Sequence, residues 1–366
     1  MVLGFHYCVF FGHPGWAENF RAFGWTGVDL FFVLSGFLIS SQLFTQINKG
    51  NPLNVREFFI KRIYRILPIY FFMVALYFFV PYFREKEALP PVWKFLTFTQ
   101  NFRLNNAEFG TFSHAWSLCV EEHFYLLLPL LLLALQGTKF LKSSYWILIG
   151  LFAGGLALRI FLWKYYYPHA GEDSYPIANW TENIYYPTYN RLDGLVVGVS
   201  VAAFYKFRQA SWEKWSRLGN LSILIGLLIL TGAYFFASDM ETFSTTVFGF
   251  PLIAIGYGFL VMGAISPSSF LYQWRSKTTT LVAALSYAAY LSHKGIIHIT
   301  QQLLSMAGLD KNSSVTMAVC AVTCLLAAWI LHLAIEKPFM RLRDRVLGKK
   351  RAPVVRMDVV PLEQGS

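Results

Sequence analysis

Apolar runs of about 20 residues, nearly free of charge, recur from one end of this chain to the other, and they leave few folds open. A helix of that length crosses a hydrocarbon core of about 30 Å and satisfies its own backbone polar groups, as any lipid-exposed span must. The runs fall at roughly 26–46, 66–82, 116–135, 144–163, 190–205, 219–237, 246–264, 279–300 and 313–335, with a shorter one at 1–11. Their continuity argues against the alternating pattern of barrel strands. The expected fold is all-α: a polytopic membrane helix bundle of about ten transmembrane helices. With 55% hydrophobic and 14% charged residues among 366, the chain has too little polar surface for a soluble globule of its size.

Residues 1–340 read as one transmembrane domain, and 341–366 as a basic, flexible cytoplasmic tail. Residues 1–11 supply about half a crossing, so either the first helix is incomplete or the start is internal to a longer protein. The first apolar run continues into further spans and lacks a small-residue cleavage site, so no cleavable signal peptide is expected.

The net charge of +11 raises nucleic acid as a partner, but the basic residues sit in short loops and in the tail, a distribution that reads as topology. One set of alternate loops carries Lys49, Arg56, Lys61, Arg62 and Arg65, then Lys139 and Lys142, then Lys206 to Arg217, then Arg275 and Lys277. By the positive-inside rule these loops and both termini are cytoplasmic in a multi-pass protein of the cell membrane, a bacterial inner membrane. The longer loop 82–113 has balanced charge and is kept outside. Cys8, Cys119, Cys320 and Cys324 lie in or beside apolar runs without metal-ligand spacing, so no metal is expected.

An ionised group inside a span is costly and is a functional-site candidate by default. In the stretch His114 to Tyr125, Glu121 shares a broad helical face with His114 and Ser117, whereas Glu122 is turned about 100° away. Either acid could instead sit at the headgroup level. His6 lies in an apolar run, where a neutral imidazole suits a general base or a hydrogen bond between helices. Asp29, near the outer edge of its span, reads as a cap or as a member of a polar cluster, and Ser35 and Gly36 as packing residues. Arg62 and Arg65, at i and i+3, are suited either to anchoring the span or to gripping phosphates. Arg191 and Asp193 open a further span, and His293 and Lys294 lie deep in another, where Glu121, Asp29 or Asp193 would offset their burial. The aromatic stretch from Tyr165 to Pro187 fits an interfacial belt or stacking on sugar rings.

In order, these stretches resemble acyltransferase family 3, the multi-span, acyl-CoA-dependent O-acyltransferases of extracytoplasmic glycans. The match runs through His6, Gly27-Val28-Asp29-Leu30-Phe31-Phe32-Val33-Leu34-Ser35-Gly36-Phe37, Arg62 and Arg65 before Pro68, Trp116-Ser117-Leu118 to Glu121 with Phe124-Tyr125, Arg191-Leu192-Asp193, and Ser286-Tyr287 to Leu291 with His293. The family's arginine about half a span before the histidine would fall ahead of Met1. The resemblance implies that His6 and Glu121 are catalytic, with Glu121 rather than Glu122 taking the acid's role. It also implies that Arg62 and Arg65 hold the phosphates of acetyl-CoA or another acyl-CoA. Asp29, His114, Ser117, Arg191, Asp193 and His293 complete a supporting cluster. The expected reaction deprotonates an acceptor hydroxyl at His6, with Glu121 orienting or charge-balancing the histidine. A covalent acyl-enzyme relay is a second route. A transporter or flippase of a lipid-linked glycan would use the same buried groups, but the inverted repeats common in such proteins are absent.

Overall fold

The computed structural model describes residues 1–86, 88–135, 144–166, 176–237 and 239–348. Lys139, Lys142, Tyr167, Pro168 and tail residues 349–366 lie outside the described residues. The main helices are α1 (Val2–Phe10), α2 (Gly27–Asn48), α3 (Val55–Phe79), α4 (Trp116–Leu135), α5 (Ser144–Tyr166) and α6 (Asp193–Phe207). They are followed by α7 (Gly219–Phe236), α8 (Phe250–Ala264), α9 (Lys277–Met306), α10 (Ser314–Leu331) and α11 (Lys337–Val346). No strand occurs among the described residues, so the chain is all-α. Polar side chains set several helix starts by accepting an orphan backbone N–H: Asn54 takes that of Glu57 at 2.9 Å and Ser313 that of Thr316 at 3.1 Å.

Seven helical stretches among the described residues are long and apolar enough to cross a membrane, against an expected count of about ten. The other three predicted spans are α1, α6 and α9. α1 has nine residues, and α6 has 15, enough for about 22 Å. α9 has 30 residues but is interrupted by polar ones, among them Ser292, His293, Lys294 and Thr300.

The short α6 lies in the interior, pressed against α2 along most of its length. A Cβ at Gly36 would strike the carbonyl oxygen of Leu195, and one at Gly198 that of Val33. The two backbones therefore touch, as small residues permit in membrane bundles. This contact brings Asp29 of α2 level with Arg191 and Asp193 at the start of α6. A large core joins α2, α4, α6 and α8 through Phe32, Val33, Val120, Leu195, Phe250 and Ala254.

A second core lies between α3, α9 and the segment 80–113, formed by Tyr70, Met73, Tyr77, Phe83, Phe95 and Phe112. Segment 80–113 is a folded strap. Arg84 donates to the carbonyls of Tyr77 at 2.7 Å and Phe78 at 2.8 Å, satisfying the end of α3. Phe112 adopts a left-handed backbone, φ 55°, which is strained for a bulky side chain. Its ring stacks on Tyr77 at 4.4 Å and its N–H donates to the Glu85 carboxylate at 3.1 Å, and these contacts hold the turn that delivers His114.

Candidate active site

Three histidines from distant parts of the chain meet at one end of the bundle. α1 carries His6, the turn before α4 carries His114, and α9 carries His293. α1 packs on residues 17–27 and is tied further by long-range contacts. Gln301 donates to the Tyr7 hydroxyl and the Phe11 carbonyl, each at 3.1 Å, while the Tyr7 hydroxyl donates to the Lys311 carbonyl at 3.2 Å.

His6 Nδ1 lies 2.7 Å from His293 Nε2, with the two rings 8° from parallel and 4.9 Å apart. His293 Nδ1 lies 2.7 Å from the Tyr290 carbonyl, which can only accept, so Nδ1 carries the hydrogen. A neutral imidazole has one N–H, so His293 Nε2 is an acceptor and His6 Nδ1 is its donor. His6 Nε2 is left with a lone pair and no hydrogen-bond partner among the described residues. His293 and His114 are buried, 1% and 2% exposed, whereas His6 is only partly buried. His114 stands edge-on to His293 at 4.8 Å and to His6 at 5.9 Å, with Nε2 donating to the Leu291 carbonyl at 3.2 Å. Tyr290 ties this group to α4: its hydroxyl donates to the His114 carbonyl and accepts from Ser117, both at 2.6 Å.

Glu121 faces elsewhere. Its buried carboxylate accepts from the hydroxyls of Ser35 and Tyr125. Glu121 and His6 share no hydrogen bond among the described residues, and the partner of His6 Nδ1 is His293. Ser35, expected only to pack, is a donor to this carboxylate. The Arg62 guanidinium stands 5.5 Å over the Tyr125 ring and donates to Gln42 at 3.3 Å, with its Nε buried and unpartnered. Arg65 is exposed one turn further on. Gln42 also lines a cavity of about 810 Å³ with Thr45, Gln46, Asn54 and Lys61. Arg62 and Glu121 thus belong to one neighbourhood, and His6 and His293 to another. Tyr290 and Ser117 stand on the way between them, Ser117 lying one turn of α4 from Glu121.

Two buried ion pairs tie the start of α6 to α2 and to α5. Arg191 donates to Asp29 at 2.8 Å, its guanidinium 4.1 Å from the centre of the Phe250 ring and 4.7 Å from that of Tyr185. Asp193 pairs with Arg159 of α5 through a two-pronged fork, and Arg159 also donates to the Asn190 carbonyl at 2.8 Å. Lys294 pairs with Glu85 of the strap at 3.1 Å. The partners expected for His293 and Lys294, namely Glu121, Asp29 or Asp193, are thus replaced by His6 and Glu85.

A family model described as an acyltransferase domain matches residues 1–333. The chain belongs to acyltransferase family 3. It is 29% identical over 310 residues to the peptidoglycan O-acetyltransferase OatA of Listeria monocytogenes, covering 80% of this chain and 47% of that protein. It is 24% identical over 295 residues to the O-acetyltransferase OatA of Staphylococcus aureus, covering 75% of this chain and 46% of that protein. The chain therefore spans about half the length of these curated relatives. No solved structure matches it. Within this acyltransferase, sequence reasoning missed Arg159, Glu85 and Tyr290 as members of the polar framework. Arg159 did carry a signal: it is an arginine inside the apolar run Leu156 to Leu162.

Proposed function

We propose that this acyltransferase is a multi-pass membrane O-acetyltransferase. In this reading it moves an acetyl group from acetyl-CoA, bound at the cytoplasmic end, to a hydroxyl of a glycan on the other side of the bilayer. His6 Nε2 takes the proton of the acceptor hydroxyl as its oxygen attacks the thioester carbonyl. The tetrahedral intermediate then collapses, the carbon–sulfur bond breaks, and the coenzyme A thiolate takes the proton back from His6. His293 accepts from His6 Nδ1 throughout, and this hydrogen bond strengthens when His6 becomes an imidazolium. Arg62 and Arg65 hold the donor's phosphates, and the cavity beside Gln42 gives room for its nucleotide end.

The observation that carries this reading is the chain of hydrogen bonds from His6 through His293 to the Tyr290 carbonyl, which leaves the base lone pair on Nε2 of a partly buried ring. The names of the two relatives support a glycan acceptor. The basic loops support placing Arg62 and Arg65 on the cytoplasmic side. The test is acetyl transfer by purified His6→Ala and His6→Gln variants that retain the wild-type thermal midpoint. Both are expected to lose transfer by about a hundredfold or more, the range of general base catalysis. Wild-type rates in a folded variant would refute the assignment.

A further inference from the structure

The Lys294–Glu85 pair is not absorbed by the reaction just described, and its position calls for a reason. Both side chains are nine-tenths buried or more, at 1% and 5% exposure. A buried ion pair is often no more stabilising than apolar residues of similar volume, so stability alone does not account for it. Lys294 directly follows His293, and its ammonium lies 4.5 Å over the ring of Phe10, which in turn packs against His6 at 5.7 Å. The same ammonium donates to Ser113, the neighbour of His114, at 3.3 Å. Glu85 meets it from the strap, held there by the Phe112 N–H. The titratable and charged groups around the pair are His6 from α1, Tyr77 from α3, Lys86 from the strap, His114, and His293 and His298 from α9.

We infer that Glu85 is a positioning residue of acyl transfer, which neutralises Lys294 beside the histidines and latches the strap so that His6 can accept a proton. The inference rests on His6 being the base. A lone ammonium at this distance opposes formation of the imidazolium, and in a dry site that opposition is strong. With Glu85 in place, Lys294 can pin Ser113 and Phe10 without weakening the base.

The test compares Glu85→Gln with the double variant Glu85→Gln/Lys294→Met in purified protein, by steady-state acetyl transfer against pH. E85Q leaves the ammonium unbalanced, and kcat is expected to fall by about tenfold or more with the KM for acetyl-CoA unchanged. The acid limb of its pH profile should move to lower pH, since the base is harder to protonate. The double variant removes both charges and is expected to recover most of the lost rate and the original limb. A double variant as slow as E85Q, or slower, overturns the inference, and so does an acid limb that E85Q leaves in place, because removing both charges relieves a purely structural pair too but only a role at His6 moves the limb. If E85Q does not accumulate, the swapped pair E85K/K294E decides: activity within about tenfold of wild type supports a role for neutrality, and a folded, inactive swap overturns it. Failure of the His6 reading would show separately, as full activity in His6→Ala.

Discussion

Replacing His293 by asparagine and by glutamine separates its two hydrogen bonds. Asparagine places its amide near the position of Nδ1, where it can still donate to the Tyr290 carbonyl, now 2.7 Å from the ring nitrogen. It is too short to accept from the His6 Nδ1–H, whose nitrogen lies 2.7 Å from His293 Nε2. Glutamine places an amide oxygen near Nε2 and keeps that acceptor. In the transition state His6 is an imidazolium, so the missing bond is charge-assisted and contributes about 1.5–3 kcal/mol. At about 1.4 kcal/mol per tenfold, His293→Asn should lower kcat by roughly 10- to 150-fold. His293→Gln should lie much nearer wild type, within about tenfold. The measurement is the rate of acetyl transfer by detergent-purified or nanodisc-embedded variants at saturating acetyl-CoA, with thermal midpoints read alongside. Equal rates for the two variants at equal stability would refute the hydrogen-bond chain as the means of orienting His6.

Two further outcomes follow from packing and charge. Gly198→Ala would drive a methyl group into the Val33 carbonyl and part α2 from α6, so it should cost about 1–3 kcal/mol and lower the thermal midpoint by several degrees; an unchanged midpoint would show that the contact is not tight. Arg62→Met should raise the KM for acetyl-CoA by roughly tenfold while leaving kcat within a few-fold, and an unchanged KM would remove Arg62 from the donor site.

The ionisable residues within apolar sequence were the legible part of the site. His6, His114, His293, Asp29, Arg191 and Asp193 each stand out because lipid leaves a charge or imidazole no cheap alternative to a partner. Which partner each takes was not legible. Arg191 and Asp193, two residues apart at the start of a span, do not pair with each other. Each instead finds a mate on another helix, Asp29 and Arg159. Glu85 was hidden because it lies in a loop whose charges balance, and only the folded strap carries it to Lys294. Tyr290 and Tyr125 look like ordinary aromatic residues of a span; their hydroxyl contacts depend on which helices are neighbours. Apolar pattern also does not distinguish a lipid-facing helix from α6, most of whose residues are buried in protein.

The dependence of α1 on distant contacts bears on biosynthesis. α1 packs on the nearby residues 17–27, but its tethers to Gln301, Lys311 and Asn312 and the meeting of its histidine with His293 form only after most of the chain has been made. On the proposed reading, a nascent chain that has not reached His293 lacks the partner of His6, and truncation before His293 should yield inert membrane protein rather than a weakened enzyme.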